Sequence, residues 1–310
     1  MKSVDWFMDQ KWGVFTHYLY ELQNTPENVN NMGVGETSWD ACADAFDAEL
    51  LAGQLVDAGA SYLIFTVMQR QRWMCAPNAT YDRIIGAKPG EACCRRDLIS
   101  DLIAALDRRG IALFLYYTGD GPFDDPVAGP AMGLAKQRKP LTEGFLANWS
   151  SVAREYSMRY GAKVRGWWVD GCYTYFGYTD QMLQWYADAM RAGNPDALLA
   201  FNNGVFDTVT PYSALDDYTC GEMNDFFDYP ESRFIGGAQW HTLAPLGLLR
   251  DASQRSSAWG APGCKRDGAY MRDYVRKVNE KGGVVSVDVA LYRDGHIDQE
   301  QFEVLRQLGK

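Results

Sequence analysis

A short, almost uninterrupted apolar run followed by a longer segment of helical periodicity recurs along this chain, and no other feature restricts its fold so strongly. Strands buried on both faces read as continuous apolar runs, and parallel strands need crossover helices between them. Eight such runs are found: Trp12 to His17, Tyr62 to Val67, Ile111 to Tyr117, Val164 to Asp170, Leu198 to Asn202, Tyr218 to Glu222, Phe234 to Trp240 and Val284 to Leu291. Helices are predicted over Ala48 to Ala58, Asp97 to Arg108, Gly144 to Tyr160, Asp180 to Arg191, Asp267 to Glu280 and Asp298 to Leu308. Gly59 and Gly110 stand where left-handed helix caps are expected, each just before a strand. Eight repeats in a chain of 310 residues favour a closed (β/α)8 barrel, the TIM barrel, over an open doubly wound sheet. No GxGxxG follows the first strand, which removes the dinucleotide-binding alternative. The expectation is an α/β chain whose residues 1–310 form one domain.

Hydrophobic residues make up 47% and charged residues 23%, enough apolar content for a large core. A net charge of -10 without a basic cluster argues against nucleic acid as a partner. Seven cysteines in no paired spacing argue against both a zinc site and a disulfide framework. No signal-like amino terminus and no run of eighteen apolar residues is present, so the expectation is a cytoplasmic protein with free thiols and no membrane association. Oligomeric state, including a homo-oligomer, stays open.

In a barrel of this type the chemistry sits at the carboxyl ends of the strands. Polar residues at those ends are His17, Gln69, Asp170, Asn202 with Asn203, and Glu222. Asp170 is the sharpest, because Arg165-Gly-Trp-Trp-Val-Asp-Gly places a carboxylate after a bulky strand with a glycine behind it; a cap on the following turn is the competing role. Glu222, ending the sixth run, offers a second carboxylate, with Asp225 and Glu231 as rivals. Two carboxyls are what glycoside hydrolysis requires. An aromatic content of 14% supplies rings on which apolar sugar faces stack.

These residues resemble glycoside hydrolase family 29, the retaining α-L-fucosidases, over nearly the whole chain. Trp12-Gly-Val-Phe-Thr-His-Tyr is similar to the family's FG(L/I)F(I/V)HWG, with Tyr18 in place of Trp, and Leu55-Val-Asp-Ala-Gly-Ala-Ser-Tyr is similar to AKDAGAKY. Arg96-Asp-Leu-Ile with Arg109-Gly-Ile-Ala-Leu-Phe-Leu-Tyr-Tyr resembles RDLV and RGLKFGLYYS. Trp167-Trp-Val-Asp-Gly resembles the W(F/W)DG segment that carries the nucleophile, and Gly283-Val-Val-Ser-Val-Asp with Asp294-Gly-His-Ile resembles the last strand. The family's HHDGF segment is replaced by Met68-Gln-Arg-Gln-Arg-Trp-Met, Trp240-His241 stands where a Trp-Glu pair is frequent, and Asp288 replaces an Asn.

The resemblance implies Asp170 as nucleophile; Glu222 is assigned as acid and base from its place at a strand end, 52 residues after Asp170, and no cofactor or metal is expected, because this chemistry needs none and His17, His241 and His296 are scattered. His17 and His241 are expected to donate to sugar hydroxyls, and Gln69, Arg70, Gln71, Arg72 and Trp73 to line the mouth, binding hydroxyls or, through Arg, a carboxylate or sulfate. Tyr18, Tyr117, Trp168, Asn202 and Trp240 complete the expected sugar-binding set. The stretch from Gly119 to Pro140 is expected to loop over the barrel mouth, and no carboxyl-terminal β-sandwich is expected. The function expected is hydrolysis of a terminal sugar; a different glycoside, transglycosylation, or a non-catalytic carbohydrate-binding barrel are the alternatives.

Overall fold

A computed structural model describes residues 4–26, 28–248 and 258–309. Its strands are β1 (Trp12–Thr16), β2 (Tyr62–Thr66), β3 (Ala112–Thr118), β4 (Val164–Asp170), β5 (Leu198–Phe201), β6 (Phe234–Ile235), β7 (Ala238–Gln239), β8 (His241–Pro245) and β9 (Val284–Val289). Seven of them form one parallel sheet in the order β5-β4-β3-β2-β1-β9-β8. The predicted helices appear with their ends within a few residues of expectation, from Ala48–Ala58 to Gln299–Leu305. Asp47, Asp97, Thr142, Thr179, Asp267 and Asp298 cap their amino ends with side-chain oxygens.

The sheet buries both faces, and the period-two alternation of strand side chains creates two layers. Phe15, Ile64, Phe114, Tyr116, Trp168, Ala200 and Leu243 form the layer inside the curl of the sheet. Val14, Leu63, Leu115, Tyr117, Trp167, Leu199 and Val287 pack outward with the covering helices. A short helix, Asp5–Asp9, brings Phe7 under the inner layer, where its ring lies 5.0 to 5.3 Å from those of Tyr218, Phe114 and Tyr62.

Two of the eight predicted strands differ. Phe234 to Trp240 is not one strand: Gly236 and Gly237 both take positive φ and turn the chain into the antiparallel β6-β7 hairpin, so the seventh parallel strand begins at His241. Tyr218 to Glu222 is extended but irregular. It makes parallel bridges at Tyr218–Gln239 and Glu222–Leu243, while Asp217 N donates to Leu199 O of β5 at 2.8 Å. The Thr219 hydroxyl takes over ladder positions by bonding His241 N and O, and Gly221 at φ 57° breaks the pleat. Among the described residues no helix is long and apolar enough to cross a membrane, and all seven cysteines are free thiols.

Phe7 fills the inner layer's lower end, so Phe7→Ala should cost about 3–5 kcal/mol of stability through the cavity it leaves. Urea unfolding of the variant checks this, and a loss below about 1 kcal/mol would mean that the amino-terminal helix does not close the core.

Candidate active site

The carboxyl ends of the parallel strands surround a cavity of about 400 Å³, within the range of small-ligand sites. Asp170 ends β4 and is 8% exposed. Four side chains hold its carboxylate. Tyr116 Oη donates to Oδ2 at 2.6 Å, with the longer Gln69 Nε2 contact at 3.4 Å; Asn202 Nδ2 donates to Oδ1 at 2.8 Å, with Tyr173 Oη at 3.4 Å. Gln69 also donates to Tyr116 Oη at 2.7 Å, which leaves the phenol proton for Asp170. Burial, and then the Asp170 charge, hold the Tyr116 phenol far above its ordinary value, so it remains a donor.

Glu222 lies beside this carboxylate. Asn202 Nδ2 donates to Glu222 Oε2 at 2.5 Å as well as to Asp170 Oδ1. Two oxygens sharing one nitrogen at 2.8 and 2.5 Å are at most about 5.3 Å apart, against the ~5–5.5 Å of carboxyl pairs that work by direct displacement and ~6.5–9.5 Å of pairs that admit a water. Burial pushes Glu222 up to about 8, the Asp170 charge adds to it, and the Asn202 hydrogen bond opposes it.

His17 ends the first run and lines the cavity. Its Nδ1 donates to Asp288 Oδ1 at 2.8 Å, and Asp288 Oδ2 accepts from Gly260 N at 2.7 Å. This fixes the ring and leaves Nε2 as the free nitrogen. Trp168 lies on the floor, its ring 5.5 Å from Tyr116 and nearly parallel to it. Trp259, Tyr173, Glu21 and Asn28 complete the polar and aromatic wall, with Arg70 at its rim. Burial raises the Glu21 carboxyl, against the neighbouring Arg70 and His17.

Asp170, Glu222, His17, Gln69, Trp168 and Asn202 are thus brought together with Arg70 at the rim, while Tyr18, Trp73, Tyr117, Trp240, His241 and Arg72 do not line the cavity. Tyr18 points outward and donates to Cys42 O and Arg293 O. Tyr117 likewise faces the helices, donating to Trp149 O; its neighbour Tyr116 is the one that reaches the cavity, because adjacent strand residues face opposite sides. Trp73 stacks on Tyr20, and Trp240 is buried in the outer core. Arg72 clasps Asp125 with two guanidinium nitrogens at 2.7 and 2.8 Å, and Arg70 pairs with Asp124. These pairs tie the segment after β2 to the Gly119 to Pro140 stretch, which does not line the cavity. Asp225 is paired with Arg266, and Glu231 is exposed away from the cavity.

His241 begins β8 instead of ending it, so it lies at the opposite end of the sheet. Both ring nitrogens are used, on Thr219 O and Ser286 Oγ at 2.8 Å each. Tyr116, Tyr173, Glu21 and Trp259 are site residues without a sequence assignment; for Tyr116 the Tyr-Tyr pair was visible, but which of the two faces inward depends on strand parity.

No family model matches the sequence, and no curated protein matches it. Solved structures do. The α-L-fucosidase AlfC from Lactobacillus casei, in complex with α-L-fucose product, superposes with a TM-score of 0.66 at 17% identity, covering 99% of this chain and 96% of that one. A family 29 α-L-fucosidase from Bacteroides thetaiotaomicron gives 0.65 at 16% identity, covering 99% of this chain and 72% of that one. An endo-fucoidan hydrolase of glycoside hydrolase family 107 gives 0.68 at 14%, covering 88% and 51%. The chain has the fold of the family 29 α-L-fucosidases.

Burial lowers His241 from its ordinary 6.5 to about 4. The unfolded chain takes up this proton near 6.5 and the folded one only near 4, so stability falls as pH drops through that window, by about 3 kcal/mol from this group. In His241→Gln this part of the pH slope should vanish while KM for substrate stays unchanged. Urea unfolding at pH 7, 5.5 and 4 compares the two proteins, and an identical slope would sink the assignment.

Proposed function

We propose that this chain is a retaining glycoside hydrolase acting on a terminal α-L-fucoside or a closely related sugar, on a (β/α)8 barrel in which residues 217–223 serve as the irregular sixth stave. The observation that carries the reading is the carboxylate pair, Asp170 and Glu222, bridged by one amide at the floor of the cavity. The fold shared with AlfC and the other fucosidases supports it.

In the first step Asp170 attacks the anomeric carbon, forming a carboxylate–sugar ester bond, while the glycosidic C–O bond breaks and the leaving oxygen takes the Glu222 proton. In the second, Glu222 as carboxylate takes a proton from water, the water oxygen bonds to the anomeric carbon, and Asp170 departs. The environments suit these roles. Asp170 is stabilised as an anion by Tyr116 and Asn202, whereas burial and the neighbouring negative charge keep Glu222 protonated near neutral pH. His17 Nε2, Gln69 and Trp168 supply a hydroxyl partner, an amide and a stacking face. Because Arg70 and Arg72 are engaged by Asp124 and Asp125, hydroxyl recognition is favoured over binding of a carboxylate or sulfate.

A related sugar other than fucose is favoured by one feature: Gln69 and Arg70, not histidines, reach the cavity from the segment after β2. A panel of aryl α-L-fucoside, galactosides, arabinosides and rhamnosides separates the two. Asp170→Asn should lose on the order of 10³-fold or more in kcat on every substrate turned over. The product should keep its anomeric configuration by NMR. No hydrolysis of any panel member by the wild type would overturn the reading.

The pH profile supplies a further expectation. As general acid, Glu222 must be protonated, so kcat/KM should fall as pH rises through about 8. Glu222→Gln should abolish that limb and depress substrates with poor leaving groups far more than activated aryl glycosides. An unchanged alkaline limb in Glu222→Gln would assign the acid elsewhere.

A further inference from the structure

Asn202 follows the last residue of β5 and is 1% exposed, with its side chain standing between the two carboxylates. Its nitrogen has two hydrogens, and both are spent: one on Asp170 Oδ1 at 2.8 Å, the other on Glu222 Oε2 at 2.5 Å. Its oxygen accepts from Gly204 N at 3.1 Å. Reversing the amide would turn its oxygen toward two carboxylate oxygens and its NH2 toward an N–H donor, so three contacts dictate one orientation. The side chain has no donor left for a sugar hydroxyl.

We propose that Asn202 is a positioning residue that acts through the carboxylate pair and does not bind substrate: it sets their spacing, favours ionised Asp170, and biases the transferable proton of Glu222 toward Oε1. The last point follows because the carbonyl oxygen of a protonated carboxyl is the stronger acceptor, so an amide donating to Oε2 favours the proton on Oε1. This inference rests on the retaining reading of the pair.

The other ionisable groups facing the pair do not reproduce this role. Tyr116, Tyr173 and Cys220 face Asp170, with Asp120 and Cys172 behind; Asp170, Asp288, Tyr173 and Cys220 face Glu222. These are neutral donors to Asp170 alone or further acids. Among the described residues only Asn202 donates to both carboxylates. Each of its hydrogen bonds stabilises a charged form, so losing them makes both carboxyls hold their protons to higher pH.

The experiment is the pH dependence of kcat and KM for wild type, Asn202→Ala and the isosteric Asn202→Asp, with urea unfolding to establish that each variant is folded. For Asn202→Ala, both limbs of the kcat/KM profile should move to higher pH by on the order of one unit, kcat should fall, and KM should stay within about twofold. Asn202→Asp should move the limbs at least as far, because it replaces the shared donor with a third acid. A tenfold rise in KM with unmoved limbs would make Asn202 a sugar ligand and overturn the proposal, as would a fall in kcat with unmoved limbs, which a merely structural role produces. Carboxyl ¹³C NMR titration of Asp170 and Glu222 tests the same shift without substrate: upward movement of both in Asn202→Ala supports the proposal, and unmoved titrations overturn it. If wild-type turnover survives Asp170→Asn, the retaining reading fails separately, and the NMR titration still decides what Asn202 does to the pair.

Discussion

Asp170 ends a parallel strand packed on both faces, and a charge at such a position persists only if neighbouring strands supply donors to it. Tyr116 comes from β3 and Asn202 from the end of β5, the two strands that flank β4 in the sheet. The register therefore matters as much as residue type. Tyr117 pairs with Val169 and Thr118 with Asp170, which leaves Tyr116 one step lower on the inner face with its hydroxyl reaching up to the carboxylate. Burial and the ionised Asp170 beside it make Glu222 costly as an anion, since two close negative charges in a half-dry cavity resist joint ionisation, and the Asn202 hydrogen bond offsets only part of that cost.

The first and last strands of the chain meet at a second pairing of this kind. β1 lies beside β9, so His17 finds Asp288 across 271 residues of sequence. The Gly260 amide engages the other oxygen of Asp288, and His17, held through Nδ1, lines the same cavity as the carboxylate pair. Around the rim, ion pairs between Arg70, Arg72 and the acidic pair Asp124 and Asp125 hold the β2 and β3 extensions together, so these arginines serve the loop architecture. Arg70 and Arg138 extend that packing over the Phe123 ring.

Helix positions were legible because their caps and apolar spacing are local properties, and six strands were legible because fully buried strands leave no polar residue to interrupt them. The hairpin at Gly236-Gly237 was not, since an apolar run looks continuous until positive φ values turn it. Asp170 and Glu222 were visible as carboxylates ending apolar runs. Tyr18, Tyr117, Trp240 and His241 were expected in the cavity for their chemistry, yet their facing and their end of the strand are set by pleat parity and by where β8 begins. A one-residue change in the start of a strand reverses every side chain on it.

The amino-acid sequence by itself determined an α/β chain of buried parallel strands with capped helices between them, and it put two carboxylates where strands end. Those are consequences of periodicity and residue type, which depend on neighbours within a few positions. The tertiary structure alone decided that Tyr116 and not Tyr117 holds Asp170, that Asn202 stands between the two acids, and that His241 is a buried structural ring at the far end of the sheet. Those outcomes follow from strand register and sheet order, which bring together residues separated by tens to hundreds of positions and which no local pattern encodes.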